Sequence, residues 1–380
     1  VQEGGDDRLA VSQRINYYPS EILDIYTMYD LMNDAYTQYI DPSEMLYEDF
    51  MTSFNERETL YDIGIEVDAI PTESDSVVVV KQVYLKSSAA EQGIQVGDTI
   101  VSMFGAKVNS AILFEKLSTG EEGSSVSMVI ARNENGERIE KELDLKITPY
   151  PEPSVVYSIR DSIAIIEIRP FNNENTPSDS GTYGEFVRAL NETMNTKATI
   201  IDIRDNPGGY VNQCEAIASE MLAKDTKMSV EYAVNDEVDT DFDKPEIVVD
   251  AVFVTKDGIG KDRYYVFLVT GETGSCAEYL LMAVSNNTHS PVVGQTTFGK
   301  GSAFTIIPTY LNGVALTTIS ITYDLNGETY HMVGIKPDAE VDVYEKILEK
   351  GIEIAKEGTM QRTAGYGTSL QPEWQPLHKS

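Results

Sequence analysis

Two side chains in the last third of the chain could together break an acyl bond. Ser275 lies in a Gly-Ser-Cys-Ala-Glu turn, and Lys300 follows 25 positions later in a Thr-Phe-Gly-Lys-Gly segment. A serine hydroxyl becomes a nucleophile when a base takes its proton, and an uncharged lysine amine can be that base. An exposed lysine has a pKa of about 10.4 and is cationic at neutral pH, so Lys300 must be buried to act. The apolar residues expected to bury it are Val292, Val293, Phe298 and Phe304.

Ser275 lies between two predicted elements. An apolar run at residues 265–270 predicts a buried strand, and residues 277–285 have helical character. A hydroxyl at the start of a helix faces free N–H groups and the positive end of the helix dipole, which stabilise a developing oxyanion. The N–H of Cys276 is the natural donor. The simpler alternative is that Ser275 only caps the helix, with Glu278 completing a capping box.

A Pro-Gly-Gly turn upstream supplies a second candidate oxyanion site. Residues 206–209 read Asn-Pro-Gly-Gly, between a predicted strand at 199–203 and a predicted helix at 213–222. Paired glycines let the backbone turn with its N–H groups facing outward. We therefore predict that Gly208 or Gly209 donates to the same oxygen. The turn is common by itself, and its meaning comes from the serine and the lysine that follow.

Strands and helices alternate through the second half of the chain. Further elements are predicted at residues 163–168, 185–194 and 343–354. This alternation predicts a mixed α/β protein with a layered catalytic core. We assign residues 151–345 to the catalytic domain and residues 346–380 to the end of a C-terminal helix and a tail. Three prolines within residues 149–153 predict a stiff linker before the core.

The first part of the chain divides into a helical segment and a β-rich unit. Residues 1–60 are predicted to be helical, because apolar residues recur near the helical period through 20–55, and Ser43 is predicted to cap a helix. Short strands and turns fill residues 61–150, where Asn133 to Gly136 predict a hairpin turn. The stretch 90–108 resembles a bacterial PDZ domain, which implies a peptide-binding loop at Ile63, Gly64 and Ile65.

Composition excludes several classes of function. The 380 residues are 41% hydrophobic, and no apolar run approaches the ~18 residues of a membrane span. The chain has 29 basic and 62 acidic residues, and the net charge of −33 disfavours nucleic acid and anionic membranes as partners. Two cysteines indicate no disulfide framework, and three scattered histidines lack the spacing of a metal site. The sequence begins without a basic, apolar export leader. We therefore expect that the protein is either cytosolic or has had a targeting segment removed.

The motifs together resemble the carboxyl-terminal processing proteases, or tail-specific proteases, of peptidase family S41. That family carries Leu-Arg-x-Asn-Pro-Gly-Gly, Ser-Ala-Ser-Glu, Thr-Phe-Gly-Lys-Gly and Gly-x-x-Pro-Asp motifs. The corresponding residues here occur in the same order, at 203–209, 275–278, 297–301 and 334–338. PDZ-like residues precede them, and residues 39–42 resemble the family's N-terminal region. The resemblance therefore covers residues 22–342.

The resemblance implies a crotonase/ClpP-like core with an inserted PDZ domain and an ATP-independent serine endopeptidase. Ser275 would be the nucleophile, Lys300 the base, and Gly208 or Gly209 with Cys276 the oxyanion hole. Unfolded or C-terminally exposed polypeptides would be the substrates, with no metal or other cofactor. The family further implies the bacterial cell envelope, periplasmic or surface-tethered, and leaves a homo-oligomer open.

Several positions depart from the family's pattern. The residue four places after the lysine is often Gln and here is Phe304, so the third catalytic residue is open between Glu278 and Asn286. Asp62 stands where the PDZ loop usually has Gly, and its charge would repel a peptide carboxylate. Cys276 replaces the usual Ala and is an alternative nucleophile.

Two other functions remain open at this point. A catalytically weak relative could hold peptides through the PDZ domain and the cleft. A ligand carrier is the other, since the retinoid-binding proteins of the eye resemble the same catalytic fold.

Overall fold

The computed structural model describes residues 19–32, 34–55, 59–72, 75–84, 87–134, 136–172, 181–234, 247–309 and 312–363. The predicted tail beyond residue 363 lies outside these ranges. The helices are α1 (Pro19–Leu31), α2 (Tyr47–Asn55), α3 (Ser88–Glu91), α4 (Ala111–Ser118), α5 (Gly181–Glu192), α6 (Val211–Met221), α7 (Cys276–Thr288) and α8 (Tyr344–Thr363). The strands are β1 (Gln38–Ile40), β2 (Thr59–Asp62), β3 (Ile65–Pro71), β4 (Ser76–Val83), β5 (Thr99–Met103), β6 (Ala106–Lys107), β7 (Ser125–Glu134), β8 (Glu137–Lys146), β9 (Thr148–Pro151), β10 (Val155–Arg160), β11 (Ile163–Ile168), β12 (Ala198–Asp202), β13 (Lys227–Val234), β14 (Ile247–Phe253), β15 (Tyr265–Val269), β16 (Val292–Gly294), β17 (Ser302–Pro308), β18 (Val314–Tyr323) and β19 (Ala339–Glu340).

A six-stranded sheet in the order β10-β11-β12-β15-β16-β19 organises the second half of the chain. β10 is antiparallel to β11, and every later neighbour is parallel. The carboxyl ends of adjacent parallel strands meet at one edge of a sheet. The segments that follow β12, β15 and β16 must therefore emerge side by side.

Successive side chains of the central strands enter two different apolar layers. On one face Ile201 and Phe267 pack with α5, α6 and α7. On the other face Ile200 and Val266 pack with α8. Strands buried on both faces read as continuous apolar runs rather than alternating ones, so these strands can be predicted from sequence. The mixed α/β fold class is confirmed.

A second, antiparallel sheet has the order β1-β18-β13-β14, with β17 also paired to β18. Its edge strand β1 comes from the N-terminal segment, where Tyr39 pairs with Ala315. The predicted helix through residues 20–55 is therefore wrong in its middle, because pairing with β18 overrides local helical preference. The cap predicted at Ser43 is also wrong. Its N–H and hydroxyl both donate to Asp41, and α2 begins only at Tyr47.

Residues 59–151 form a β-rich unit closed by the pairing of its first and last strands, β2 and β9. Between them lies a sheet in the order β3-β4-β5-β7-β8, with β6 paired to β5. The predicted hairpin is confirmed, since β7 pairs with β8 across Gly136. The stiff linker predicted at 149–153 is wrong in its first half. Prolines are tolerated in β9 because β2 and β9 form a two-stranded sheet in which both are edge strands.

A search of the described residues finds no helix that is long and apolar enough to span a membrane.

A buried ion pair fixes the turn between α3 and β5. Two guanidinium nitrogens of Arg132 contact the carboxylate of Asp98 at 2.6 and 2.7 Å, and the Asp98 side chain is only 1% exposed. The same carboxylate accepts from the N–H of Gln95, and Arg132 also donates to the C=O of Gly93. One pair thus joins a turn to strand β7.

Replacing Arg132 with Ala should destabilise the protein markedly. The change leaves the Asp98 carboxylate buried without its counter-charge, which costs about 3–5 kcal/mol. The matched control is Arg138→Ala, because Arg138 forms an exposed pair with Glu140 worth about 0–1 kcal/mol. Urea unfolding curves of both variants measure the difference, and equal losses would contradict this account.

Candidate active site

Three turns emerge at the carboxyl edge of the six-stranded sheet. The glycine turn (residues 206–209) follows β12, the serine turn (residues 270–275) follows β15, and the lysine turn (residues 297–301) follows β16. These three strands are neighbours and parallel. The sheet order therefore brings together segments that are far apart in sequence.

Backbone hydrogen bonds tie the three turns to each other. The N–H of Gly274 donates to the C=O of Asn206 at 2.9 Å, which joins the serine turn to the glycine turn. The N–H of Phe298 donates to the C=O of Thr273 at 2.9 Å, which joins the lysine turn to the serine turn. The relative positions of the three turns are thus fixed by the main chain.

Ser275 has an unusual backbone conformation, with φ 53° and ψ −118°. Residues with a Cβ rarely adopt positive φ, and such strain persists only where the surroundings impose it. An ordinary N-cap residue has extended backbone, so helix capping alone does not account for this geometry. A strained serine between a strand and a helix is also the arrangement of the nucleophile elbow in α/β-hydrolases.

Gly208 lies directly against the serine turn. Its φ is +109°, and a Cβ added to it would lie 2.6 Å from the Cβ of Ser275 and 3.0 Å from the nitrogen of Cys276. Only glycine permits this approach. The glycine turn and the first N–H of α7 therefore border the same space beside Ser275.

The two candidate glycine donors differ in their hydrogen bonding. The N–H of Gly208 donates to the side-chain oxygen of Asn206 at 2.9 Å. At Gly209, the flanking Gly208 C=O and Tyr210 N–H bond to Phe171. Within the described ranges the Gly209 N–H has no hydrogen-bond partner. Of these two N–H groups, only that of Gly208 is therefore already paired within the described ranges.

The Glu278 carboxylate connects the serine turn to the lysine turn. It is fully buried and accepts from the backbone N–H groups of Ser275 (3.0 Å), Gly299 (2.7 Å) and Lys300 (2.8 Å). The Thr297 hydroxyl donates to it as well. Burial raises the pKa of Glu278, while these four donors favour its charged form. Ser275 and Lys300 share one carboxylate oxygen, so their main chains lie close together.

The amine of Lys300 lies in aromatic surroundings. Its Nζ is 4.0 Å from the ring centroid of Phe304 and 5.1 Å from that of Tyr36. Burial lowers the pKa of Lys300 to about 8, and the charge of Asp34 opposes this change. Of the expected pocket residues, Phe304 contacts the amine, whereas Phe298 is 57% exposed. At pH 7 roughly one amine in ten is then uncharged.

Tyr36 and Asp34 are site residues that sequence reasoning missed. Asp34 accepts from the N–H of Tyr36 (3.1 Å) and the hydroxyl of Thr37 (2.6 Å), and the hydroxyl of Thr318 in β18 also donates to it. These bonds hold the segment before β1 against the second sheet, next to the lysine turn. The only sequence signal was the family-like stretch at 39–42, which lies in β1 and the turn after it.

Comparison with known proteins gives the family of the region that contains the three turns. The family model of peptidase family S41 matches residues 162–341. These residues belong to peptidase family S41. Carboxy-terminal processing protease CtpB of Bacillus subtilis is 28% identical over 325 residues, covering 82% of this chain and 61% of the relative. The carboxy-terminal-processing protease of Bartonella bacilliformis is 26% identical over 285 residues, covering 74% and 61%. The chain thus spans about three fifths of the length of these curated relatives.

Among solved structures, the chain is similar to the photosystem II D1 C-terminal processing protease. The TM-score is 0.47 at 20% sequence identity, covering 84% of this chain and 81% of that chain.

The S41 region contains a disulfide that sequence reasoning did not predict. Cys214 in α6 is bonded to Cys276 at the start of α7, with a Cα–Cα distance of 5.9 Å. The expectation of no disulfide rested on the count of two cysteines, and the sheet order brings these two together from 62 positions apart. A sulfur held in this bond cannot attack substrate, which removes Cys276 as a nucleophile in the oxidised protein.

Asn286 lies on the same helix as Glu278 but far from Ser275 along it. It is exposed on α7 eleven residues beyond Ser275, which corresponds to about 16 Å along a helix. Within the described residues, no group of three or more His, Cys, Asp or Glu side chains could hold a metal ion.

The predicted peptide-binding loop lies between β2 and β3, in the unit that precedes the S41 region. Ile63 and Ile65 are buried in that unit's core. The N–H of Gly64 is already occupied, because it donates to the Asp62 carboxylate at 2.6 Å. The hydroxyl of Tyr150 donates to the same oxygen at 2.5 Å. Asp62 thus fills the position that a ligand carboxylate would need.

Removing the disulfide of the S41 region should lower the free energy of unfolding. For a double Cys214→Ala, Cys276→Ala variant we expect a loss of about 4 kcal/mol, because the bond closes a long loop in the unfolded chain. Urea unfolding measures this loss, with Cys214→Ala alone as a control that should lose about as much. Thiol titration of the denatured, unreduced protein should find no free thiol. A titre of two thiols per chain would contradict the bond.

Proposed function

We propose that this protein is an ATP-independent serine endopeptidase that cleaves unfolded or C-terminally exposed polypeptides with a Ser275/Lys300 dyad. The observation that carries the proposal is the strained Ser275 at the start of α7, pressed against Gly208. Strain of this kind is retained where a site needs it. The lowered pKa of Lys300 supports the assignment of the base.

The proposed reaction uses each of these groups once. The Oγ of Ser275 attacks the carbonyl carbon of the scissile bond while its proton passes to the amine of Lys300. The N–H groups of Gly209 and Cys276 donate to the oxyanion. Lys300 then returns the proton to the leaving amine as the C–N bond breaks. Water, deprotonated by the same lysine, hydrolyses the acyl-enzyme and frees Ser275.

Substrate docking is proposed for the β-rich unit of residues 59–151, which we interpret as PDZ-like. Strand β3 is at the edge of its sheet, and an extended peptide can add to such an edge. Because Asp62 already occupies the Gly64 N–H, an internal segment suits this edge better than a free C-terminus.

We also propose that the protein works outside the cytosol, in the bacterial cell envelope. The Cys214–Cys276 disulfide supports an oxidising compartment. The relatives named above are bacterial processing proteases.

The alternative function is a peptide-holding protein with weak catalysis. Phe304 favours it, because a ring cannot orient an amine by hydrogen bonding as a polar third residue does. The experiment that tests the protease also decides this alternative.

Ser275→Ala and Lys300→Ala should each lose cleavage of denatured casein, by at least roughly 10⁴-fold in kcat. Matched controls are Ser285→Ala on the same helix and Lys346→Ala, an exposed lysine, both with unchanged rates. Gel and mass-spectrometric assays of the products measure cleavage. A wild-type protein that binds casein without cleaving it would favour the peptide-holding alternative. Equal cleavage by all variants would refute the dyad.

The pH dependence follows from the lysine pKa. The base must be uncharged, so kcat/KM should rise as the pH increases through about 8 and level off above it. Initial rates on an unstructured peptide between pH 6 and 10 give the profile. A flat profile across about pH 6 to 9 would exclude Lys300 as the base.

A further inference from the structure

The Lys300 amine contacts aromatic rings where a polar third catalytic residue would be expected. Phe304 and Tyr36 approach it at 4.0 and 5.1 Å from their ring centroids. Within the described part of the chain, the Nζ atom takes part in no hydrogen bond or ion pair. The site therefore orients its base without a polar partner.

We propose that Phe304 and Tyr36 are positioning residues that replace the polar third member of the catalytic group. Their rings keep water from the Lys300 amine and also receive the ammonium that forms when the amine takes the proton of Ser275. This inference deepens the proposed function and rests on it for its catalytic meaning. The ionisation of the amine can nevertheless be measured without any cleavage.

Two opposing effects of the rings make this arrangement workable. Excluding water disfavours the charged amine, which makes the base available near neutral pH. The negative face of an aromatic ring attracts an ammonium, which limits the cost of the charged intermediate. Burial lowers the pKa of Lys300 to about 8 against the charge of Asp34.

Tyr36 is held firmly enough to serve this purpose. Its N–H donates to Asp34, whose carboxylate is bound by Thr37 and Thr318, and the N–H of Thr318 donates to the Thr37 hydroxyl at 3.0 Å. The Tyr36 hydroxyl makes a long contact of 3.5 Å to the C=O of Gly299 in the lysine turn. The N-terminal segment thus lies against the lysine turn, which follows Tyr36 by 263 positions.

The charged and titratable groups around the amine come from three parts of the chain. Asp34, before β1, raises the pKa of Lys300 by its charge. Glu278 in α7 binds the Lys300 N–H rather than its amine. His331, after β18, packs against the Tyr36 ring at 5.6 Å, and Tyr36 itself has a raised pKa through burial. These groups remain unchanged in the variants of Phe304.

Two substitutions of Phe304 should shift the pKa of the Lys300 amine in opposite directions. Phe304→Leu keeps an apolar wall but loses the π face, so the pKa of Lys300 should fall by about 0.5. Phe304→Ala admits water, so the pKa should rise by about 1 or more toward its ordinary value. Tyr36→Leu should behave like Phe304→Leu. Phe298→Leu is the matched control, because that exposed ring in the same turn does not contact the amine.

The measurement is the pH dependence of Lys300 acetylation by acetic anhydride, followed by mass spectrometry of the modified peptide. The measurement is made in a Ser275→Ala background, where no cleavage is expected. Its result is therefore valid even if the protein proves not to be a protease. In the active enzyme, the acidic limb of kcat/KM should shift in the same directions while KM stays constant.

Opposite shifts for Leu and Ala at position 304, with no shift for Phe298→Leu, would support the proposal. Shifts of the same sign, or no shift in Phe304→Leu, would overturn it, because the rings would then act only as packing. Circular dichroism checks that each variant is folded. If Phe304→Ala does not fold, Phe304→Leu and Tyr36→Leu decide alone.

Discussion

The candidate site depends on one buried carboxylate. Glu278 belongs to the first turn of α7, yet it accepts from the N–H groups of both Ser275 and Lys300. A fully buried carboxylate is costly unless it is satisfied by donors, and here four donors surround it. The Glu278 carboxylate therefore holds the lysine turn to the serine turn, together with the main-chain hydrogen bond from Phe298 to Thr273. Removing this acceptor would leave the N–H groups of Ser275, Gly299 and Lys300 without their partner, which is costly for buried donors.

The oxyanion side of the site is held together in a different way. Helices α6 and α7 begin directly after the glycine turn and the serine turn, so a small rotation of either helix would separate the two candidate donors. The Cys214–Cys276 bond joins the first turns of these helices covalently. The N–H of Cys276 lies beside Gly208 and its sulfur forms the cross-link, so one residue takes part in both contacts. Glycine at 208 is the complementary requirement, because any side chain there would push the turns apart.

Sequence reasoning predicts those parts of the molecule whose signals are local. The strands that precede the serine and glycine turns are continuous apolar runs. The turns themselves contain glycines, which mark backbone conformations that other residues rarely adopt. Tyr36 and the disulfide could not be predicted, because both depend on which strands become neighbours. Pairing of β1 with β18 brings Tyr36 to Lys300, and the order β12-β15 brings Cys214 to Cys276. The wrong prediction at Ser43 has the same origin. The residues just before it form strand β1 because they pair with β18, and this pairing overrides the local helical preference.

The overall charge of the protein works against the proposed base. A net charge of −33 produces a negative field that favours an ammonium over an amine. At physiological ionic strength charges are screened beyond about 8 Å, so only near neighbours act strongly on Lys300. Asp34 is such a neighbour and opposes the lowered pKa. Desolvation of the Lys300 amine by burial therefore exceeds the attraction of Asp34. An acidic surface is compatible with a lysine of lowered pKa when rings rather than carboxylates contact its amine.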